Sequence, residues 1–396
     1  MKIGIFTDAY HPSISGVVTS IKMLEKELIK RGHEVHVFAP TTNEVADNQN
    51  LYLLKSIPLL VAKKYKYRIA TFYSRSKAKI IKDLNLDILH TQSEFSLGLF
   101  GKIISRKFNI PYVHTYHTMW EDYVHYINPL HSRKLYTKKF ARIISRNFVN
   151  KASYVIAPSN KTAKYLKYRC KIQKPIAVIP TGIEIKPFDK NNFSDVEKNN
   201  LKISLGIKKD EKVVLFLGRI GEEKSLDVVL KNMTEVFKKY KNCKLLIVGD
   251  GPSKKNIEDL AKNLNIDDKT IFTGFIDWNL VPKYYSIADI FVNASKTETQ
   301  GLTFIEAMAA SVPIIARYAP NLAEYIHSNE NGILIKKDEE LAASILNILT
   351  NETLKDNLIK NGISTAEKFS SKVFADNILK LYEEVISKHN QKEVNK

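Results

Sequence analysis

KIGIFTDAYHPSISGVVTSIKMLEKELIKRGHEVHVFAP (2–40) decides the fold. KIGIF (2–6) is a short apolar run that reads as a strand. TSIKMLEKELIKRG spaces its apolar residues for one face of a helix and ends on Gly32, a usual stop. EVHVFAP (34–40) is a second strand. A strand, a crossing helix and a strand imply parallel pairing in a sheet covered on both faces.

The rhythm continues along the chain. ILHTQ (88–92), PYVHTYH (111–117), YVIAPS (154–159) and IAVIPTG (176–182) read as strands of a first series. VVLFLG (213–218), KLLIVGDG (244–251), TIFTGF (270–275), IFVNAS (290–295), PIIA (313–316) and GILI (332–335) form a second. Two such series imply two doubly wound, Rossmann-like α/β domains, and 396 residues is the length two cores require. The proline-bearing polar tract PTGIEIKPFDKNNFSDVEKNN marks the junction. The expected domains are 1–190 and 191–375, with a last amphipathic helix, DNILKLYEEVISKH (376–389). Ligands of such sheets bind beyond the carboxyl ends of the strands, so the loops after strands carry the search.

Hydrophobic residues make up 44% of the chain, which excludes the disordered class. Cys170 and Cys243 lie in different halves without a CxxC, so a reducing cytosol is expected rather than a disulfide or zinc framework. The opening MKIGIFTDAY lacks the pattern of a cleaved signal, and no run approaches the roughly 18 apolar residues of a spanning helix. The net charge of +19 sits entirely in residues 1–190, which hold 32 Lys+Arg against 13 Asp+Glu. Such one-sidedness points to a polyanionic partner, either nucleic acid or a membrane carrying anionic lipid.

Two stretches, 63–82 and 133–151, carry much of that charge. A helical wheel of the second gathers Tyr136, Phe140, Ile143, Ile144 and Phe148 on one arc and Lys134, Lys138, Lys139, Arg142 and Arg146 on the other. Both read as surface helices, with an apolar stripe on the core and a basic face that is either simply solvated or docked on anionic lipid. The interleaved aromatics would also suit single-stranded nucleic acid, but no RNP, KH or helix-turn-helix signature accompanies them.

Several loops look chemical. Ser15-Gly16-Val17 opens a helix, where free N–H groups could meet an anion; a plain turn glycine is the alternative. There is no GxGxxG and no Walker motif. In FLGRIGEEKSLDVVL, Lys224 lies at a helix start, where the dipole disfavours a cation, and a bound diphosphate would account for it and for Arg219; two surface charges would also fit. His114, His117, Asp122 and His125 cluster beyond a strand without a metal-ligand spacing, and no Asp-x-Asp clamp exists, which favours a polar cleft histidine over a metal site. In ETQGLTFIE, Thr297 or Thr299 is placed to cap a helix beginning near Leu302. Eight positions of helix would set Glu298 and Glu306 about 12 Å apart, too far for a glycosidase pair and suited to two tasks on one extended ligand.

Together, SGVVTS (15–20), HTYHT (114–118), GRIGEEKS (218–225), VGDGP (248–252), GF (274–275) and the E-x7-E pair resemble the retaining, family-4 type glycosyltransferases of GT-B fold over nearly the whole chain. Within that family, IGIFTDAYHPSISGVVTS, HTMWEDYVHYI and NASKTETQGLTFIEAMAAS most resemble the bacterial 1,2-diacylglycerol 3-glucosyltransferases. The resemblance implies two domains facing across a cleft, with the C-terminal segment 376–396 returning to the first. It implies UDP-glucose as donor, diacylglycerol as acceptor, transfer with retention at the cytoplasmic side of the cell membrane, and peripheral attachment through 63–82 and 133–151.

The resemblance also implies residue roles. Glu306 would bind ribose hydroxyls, and Glu298 a donor-sugar hydroxyl. Gly301, Leu302 and Ile276 would line the donor site. Arg219 and Lys224 would neutralise the leaving diphosphate, faced by Gly16. His117 would position the sugar, and Asp122 would meet the acceptor. Ser225 stands where many relatives carry glycine, and Gln300 replaces a common aromatic or small residue, which loosens the inference about donor sugar. No metal site is implied, and Mg2+ would be at most a stimulant. Rival readings are a same-fold enzyme using another hexose or another lipid, such as glucosyl-diacylglycerol or phosphatidylinositol, a nucleic-acid-binding protein, or a non-catalytic sugar-nucleotide module. The last two leave the paired Arg219 and Lys224 and the paired glutamates without a purpose together.

Overall fold

The computed structural model describes residues 1–10, 16–42, 49–58, 68–117, 134–298 and 300–394, with the side chains of 134–138, 140 and 141 excepted. The chain divides into two compact units, residues 1–182 with 371–396, and residues 183–370. The break falls at Gly182, earlier than the position 190 expected from the polar tract. From Ile183 on, the tract belongs to the second unit: Phe188 packs on Tyr285 there, and Ile183 N donates to Phe369 O at 2.8 Å.

The first unit contains β1 (Lys2–Phe6), β2 (Glu34–Pro40), β3 (Leu51–Leu54), β4 (Ser56–Pro58), β5 (Arg68–Ala70), β6 (Ile88–Thr91), β7 (Tyr112–Thr115), β8 (Tyr154–Ala157) and β9 (Ile176–Val178). Seven of them form one parallel sheet in the order β3-β2-β1-β6-β7-β8-β9, and β4 pairs antiparallel with β5. The pairs β1–β2 and β1–β6 run in register from Ile3 to Phe6, so the order reverses about β1. The helix Gly16–Lys30 buries Ile21, Leu24 and Leu28 on this sheet. Residues 63–82 do not form one helix: Arg68–Ala70 is the β5 strand, and the helix runs only over Arg75–Leu84, capped by Ser74.

The last helix spans Ser371–Val394 and belongs to the first unit. Phe374, Ile378, Leu381, Tyr382 and Val385 complete the apolar layer formed by Ile3, Ile21, Leu24, Val35 and Ile88. Arg31 fastens it, donating to Asp376 at 2.9 Å while pairing with Glu27 at 2.6 Å. Its start, five residues before the expected 376, follows Phe374 and Ala375 into that layer.

The second unit contains β10 (Lys212–Leu217), β11 (Cys243–Val248), β12 (Thr270–Gly274), β13 (Ile290–Asn293), β14 (Ile314–Arg317) and β15 (Ile333–Ile335). They form a parallel sheet in the order β12-β11-β10-β13-β14-β15. Both of its faces are covered by apolar layers, one built on Leu230 and Met233 and the other on Phe291 and Phe304. That double burial is why these strands read as continuous apolar runs. Here the order reverses between β10 and β13, and the loops leaving those two strands are GRIGEEKS and ASKTETQG.

Candidate functional site

The reversal in the second sheet places Arg219 and Lys224, which follow β10, beside Glu298, which follows β13. Lys224 Nζ donates to Glu298 Oε1 at 2.7 Å, with both side chains mostly buried. The backbones of the two loops are joined as well: Lys296 N and Ser295 Oγ both donate to Glu223 O, at 3.0 and 3.2 Å. The Glu223 carboxylate lies 3.4 Å from Arg219 Nη1.

The loop after β11 supports the same corner. Gly249 has φ +141°, and a Cβ on it would stand 1.9 Å from Gly218 O, so the VGDGP turn and the GRIG turn approach backbone to backbone. Ile220 N donates to Asp250 O at 2.9 Å, and Ser253 N to Ile220 O at 3.2 Å, which fixes the loop that carries Arg219. Ser225 takes a left-handed conformation, φ 50°, at the start of the helix Leu226–Lys239, a conformation in which glycine is unstrained.

Glu298 is not in a helix. The helix runs over Leu302–Ala309, with Gly301 before it at φ +78° and no side-chain cap. Thr297 therefore does not cap it, and Thr299 lies outside the described residues. The turn is held from behind instead: Tyr325 Oη donates to Gln300 O at 2.8 Å, and Asn321 Nδ2 to Glu298 O at 3.0 Å. Glu306 lies on the buried face of the helix, 3% exposed, and accepts from Tyr285 Oη at 3.0 Å. Burial raises its carboxyl to about 7, against the opposing pull of the Tyr285 hydrogen bond. Leu302 and Ile276 are partly buried against the apolar layer of the same face.

In the first unit, Gly16 is the exposed first residue of its helix. Asp8, in the loop after β1, accepts from Ser93 Oγ at 2.6 Å, from Ser96 Oγ and from Leu97 N, and burial raises its pKa despite those bonds. These contacts tie the loop after β1 to the loop after β6. His117, beyond β7, has its Nε2 2.6 Å from Gln92 Oε1. His114 is buried in the sheet, bonded to Thr91 and 3.3 Å from Glu94, so it faces the interior. Asp122 and His125 lie outside the described residues. Among the described residues no group of three His, Cys, Asp or Glu side chains is placed to hold a metal ion.

The helix Lys134–Val149 differs from the wheel. Ser145, Phe148 and Val149 are buried, with Phe148 seated over Gly98, whereas Ile143 and Ile144 are each 46% exposed. Lys139 and Arg146 are exposed near them. Of the described members of the apolar arc, Phe148 is therefore buried while Ile143 and Ile144 face outward.

A model for glycosyl transferases group 1 matches residues 197–365, and one for glycosyltransferase family 4 matches residues 14–186. The chain is 36% identical to the alpha-monoglucosyldiacylglycerol synthase of Acholeplasma laidlawii, over 99% of both chains. The chain belongs to this glycosyltransferase family. The enzyme of the same name from Streptococcus pneumoniae is 39% identical over 94% of this chain and 84% of that one. The resemblance drawn from the six motifs is thereby borne out. Glycosyltransferases of the GT-B fold share its architecture: the sucrose-phosphate synthase of Thermosynechococcus elongatus superimposes with a TM-score of 0.75 over 98% of this chain and 99% of that chain at 23% identity. An Anabaena protein, HepE, solved with UDP and glucose, gives 0.73 over 97% and 100% at 18%. These two likenesses speak to the fold.

The motifs led to Arg219, Lys224, Glu298 and Glu306, but not to their supports. Tyr285, Asn321, Tyr325 and Gln92 carry no spacing signal, because each meets its partner from an element distant in sequence, and the Glu223 carbonyl meets Ser295 and Lys296 only through the β10–β13 neighbourhood.

Proposed function

We propose that the protein is a retaining hexosyltransferase that moves an α-glucosyl unit from UDP-glucose to the free hydroxyl of 1,2-diacylglycerol, giving monoglucosyldiacylglycerol. The observation that carries this reading is the 36% identity, end to end, with the Acholeplasma enzyme of that name. The local geometry supports it. Arg219 and Lys224, beside the carboxylates of Glu223 and Glu298, stand where the second sheet reverses, the place where doubly wound sheets bind ligands. They receive the diphosphate as it leaves. Glu298 binds a hydroxyl of the donor sugar, with the backbone at Gly301 and Leu302 beside it. Glu306 accepts from the ribose hydroxyls, and Ile276 borders the nucleoside. From the first unit, Gly16 meets the diphosphate, His117 orients the sugar and Asp122 serves the acceptor side.

In the transfer, the bond from the anomeric carbon to the UDP oxygen breaks through an oxocarbenium-like state. The acceptor oxygen bonds on the same face, and its proton passes to the departing UDP. The cations stabilise charge that develops on the leaving group, the largest type of catalytic contribution. Mg2+, where it stimulated, would supply further charge to the diphosphate, since no group of ligating side chains among the described residues is placed to hold it.

The acceptor dwells in a bilayer, and the surface of the first unit is suited to one. It holds 35 Lys+Arg against 15 Asp+Glu, while the second unit holds 26 against 27. Exposed Ile143 and Ile144 lie among Lys139 and Arg146, and exposed Phe72 and Tyr73 precede the basic helix Arg75–Leu84. No helix among the described residues is long and apolar enough to cross a membrane. We place the protein peripherally on the cytoplasmic face, held to anionic lipid through parts of 63–82 and 133–151. Incubation of radiolabelled UDP-glucose with diacylglycerol vesicles, with and without anionic lipid, tests the reading. An α-glucosyl-diacylglycerol product, enhanced by anionic lipid, is expected; transfer from GDP-mannose alone, or no lipid product, would overturn it.

A further inference from the structure

A chain of polar side chains runs through the first unit at the carboxyl ends of β6 and β7. His117 Nε2 lies 2.6 Å from Gln92 Oε1. The Gln92 amide nitrogen lies 3.3 and 3.2 Å from the two ring nitrogens of His90. His90 Nδ1 and Nε2 lie 2.6 Å from the hydroxyls of Tyr382 and Thr115 respectively. Gln92 is 4% exposed, and His90 and Tyr382 are wholly buried.

The chemistry of these groups fixes the direction of each bond. A carboxamide oxygen only accepts, so the contact to His117 requires the proton on Nε2. The amide orientation follows from the other end. A neutral His90 has one N–H and one lone pair, and the two hydroxyls already engage both ring nitrogens. The Gln92 nitrogen is nearly equidistant from both ring nitrogens and so lies over the ring face, where an amide N–H meets the π cloud favourably and a carbonyl oxygen would be repelled; the oxygen therefore faces His117. With the proton held on Nε2, the remaining nitrogen, Nδ1, carries a lone pair, and no described residue bonds it.

We propose that Gln92 is a positioning residue that locks His117 in the Nε2–H tautomer, so that Nδ1 is presented as an acceptor for a hydroxyl of the donor hexose. This rests on the reading of His117 as a donor-sugar residue. A lone pair repels phosphate oxygens and welcomes a hydroxyl, which directs His117 to the sugar end of the donor and not to the diphosphate. It also removes His117 from the candidates for proton source. The titratable groups around it agree. His114 and His90 lie on the neighbouring strands, Glu94 is engaged with His114, and Tyr382 with His90. None of these places a carboxylate on His117, and burial together with the charge of His114 lowers its pKa to about 3. A glutamate in place of Gln92 would supply the missing anion and favour the imidazolium.

Long-range proton–nitrogen NMR of the full chain labelled with 15N-histidine reads the tautomer directly, with His117 assigned by its loss in His117→Asn. Between pH 6 and 8 an unprotonated Nδ1 is expected; an Nδ1–H tautomer or an imidazolium would overturn the proposal. In Gln92→Glu, His117 is expected to titrate within that range. kcat/KM for transfer should then fall about tenfold from pH 8 to pH 6, relative to the native profile. A Gln92→Glu profile that overlays the native one would also overturn it. The native spectrum decides the matter by itself if that variant does not fold. The tautomer needs no turnover, so a wrong donor or acceptor would abolish transfer and leave the spectrum as expected.

Discussion

Glu298→Gln separates the charge of the Lys224–Glu298 pair from its shape. The 2.7 Å contact is mostly buried on both sides. At an effective dielectric of about 20 the gross attraction is about 6 kcal/mol, most of it offset by desolvation. A charge-assisted hydrogen bond of this kind contributes about 1.5–3 kcal/mol net. Without a donor, Lys224 thus spends its charge on Glu298, and an arriving diphosphate must compete for it. Gln keeps a carbonyl oxygen for Lys224 but releases the charge and removes a like-charged neighbour of the diphosphate. UDP binding should therefore tighten by about 1 kcal/mol, or about fivefold. Transfer should fall by about a hundredfold or more, because the sugar loses its carboxylate contact. Calorimetric titration with UDP and steady-state transfer rates provide the two readings. A loss of UDP affinity in step with the loss of transfer would refute both the competition and the assignment of Glu298 to the sugar.

Three other perturbations have defined outcomes. Glu306 is held at about 7, above the ordinary 4.5, so its proton is favoured in the folded state and stability is lost as pH rises from about 4.5 through 7; Glu306→Gln should resist unfolding better than the native chain by up to about 3 kcal/mol at pH 8. That advantage should vanish near pH 4 in a thermal-unfolding series, and an advantage independent of pH would contradict the cause given. Gly301→Ala places a Cβ 2.8 Å from Phe304 Cδ2 at a left-handed φ, so a loss of about 2–4 kcal/mol in denaturant unfolding is expected, with transfer impaired. Replacing Lys138, Lys139, Arg142 and Arg146 with Gln should weaken sedimentation with anionic liposomes, by about 1 kcal/mol for each charge that lies at the surface; unchanged sedimentation would reduce the helix to a packing element.

Much of the architecture was legible because both sheets are buried on two faces and their strands are unbroken apolar runs. LYLL (51–54) is only four residues long, too short to separate from a loop, and the strands of the β4–β5 pair are three residues each. The helical wheel of 133–151 could not say which of its apolar residues meet protein. That depends on the space over Gly98, which admits Phe148 and leaves Ile143 and Ile144 outside. At the site, the residue types of ETQGLTFIE and GRIGEEKS were informative, yet their meeting was not. Glu298 pairs with a lysine 74 residues earlier, a distance that only the reversal of strand order closes. Thr297 does not cap the helix for a local reason: Gly301 turns left-handed immediately before it and takes the cap position itself.

The last helix has a consequence for how the chain is made. The layer around Ile3, Ile21 and Val35 lacks Phe374, Ile378, Leu381 and Tyr382 until residues beyond the second unit have been made. The second unit, complete by residue 370, has all its strands earlier. Chains that grow from the amino end ordinarily finish their domains in order. Here that order is inverted: a chain truncated after residue 370 would hold every residue of the second unit, while the basic first sheet would still lack the helix that closes it.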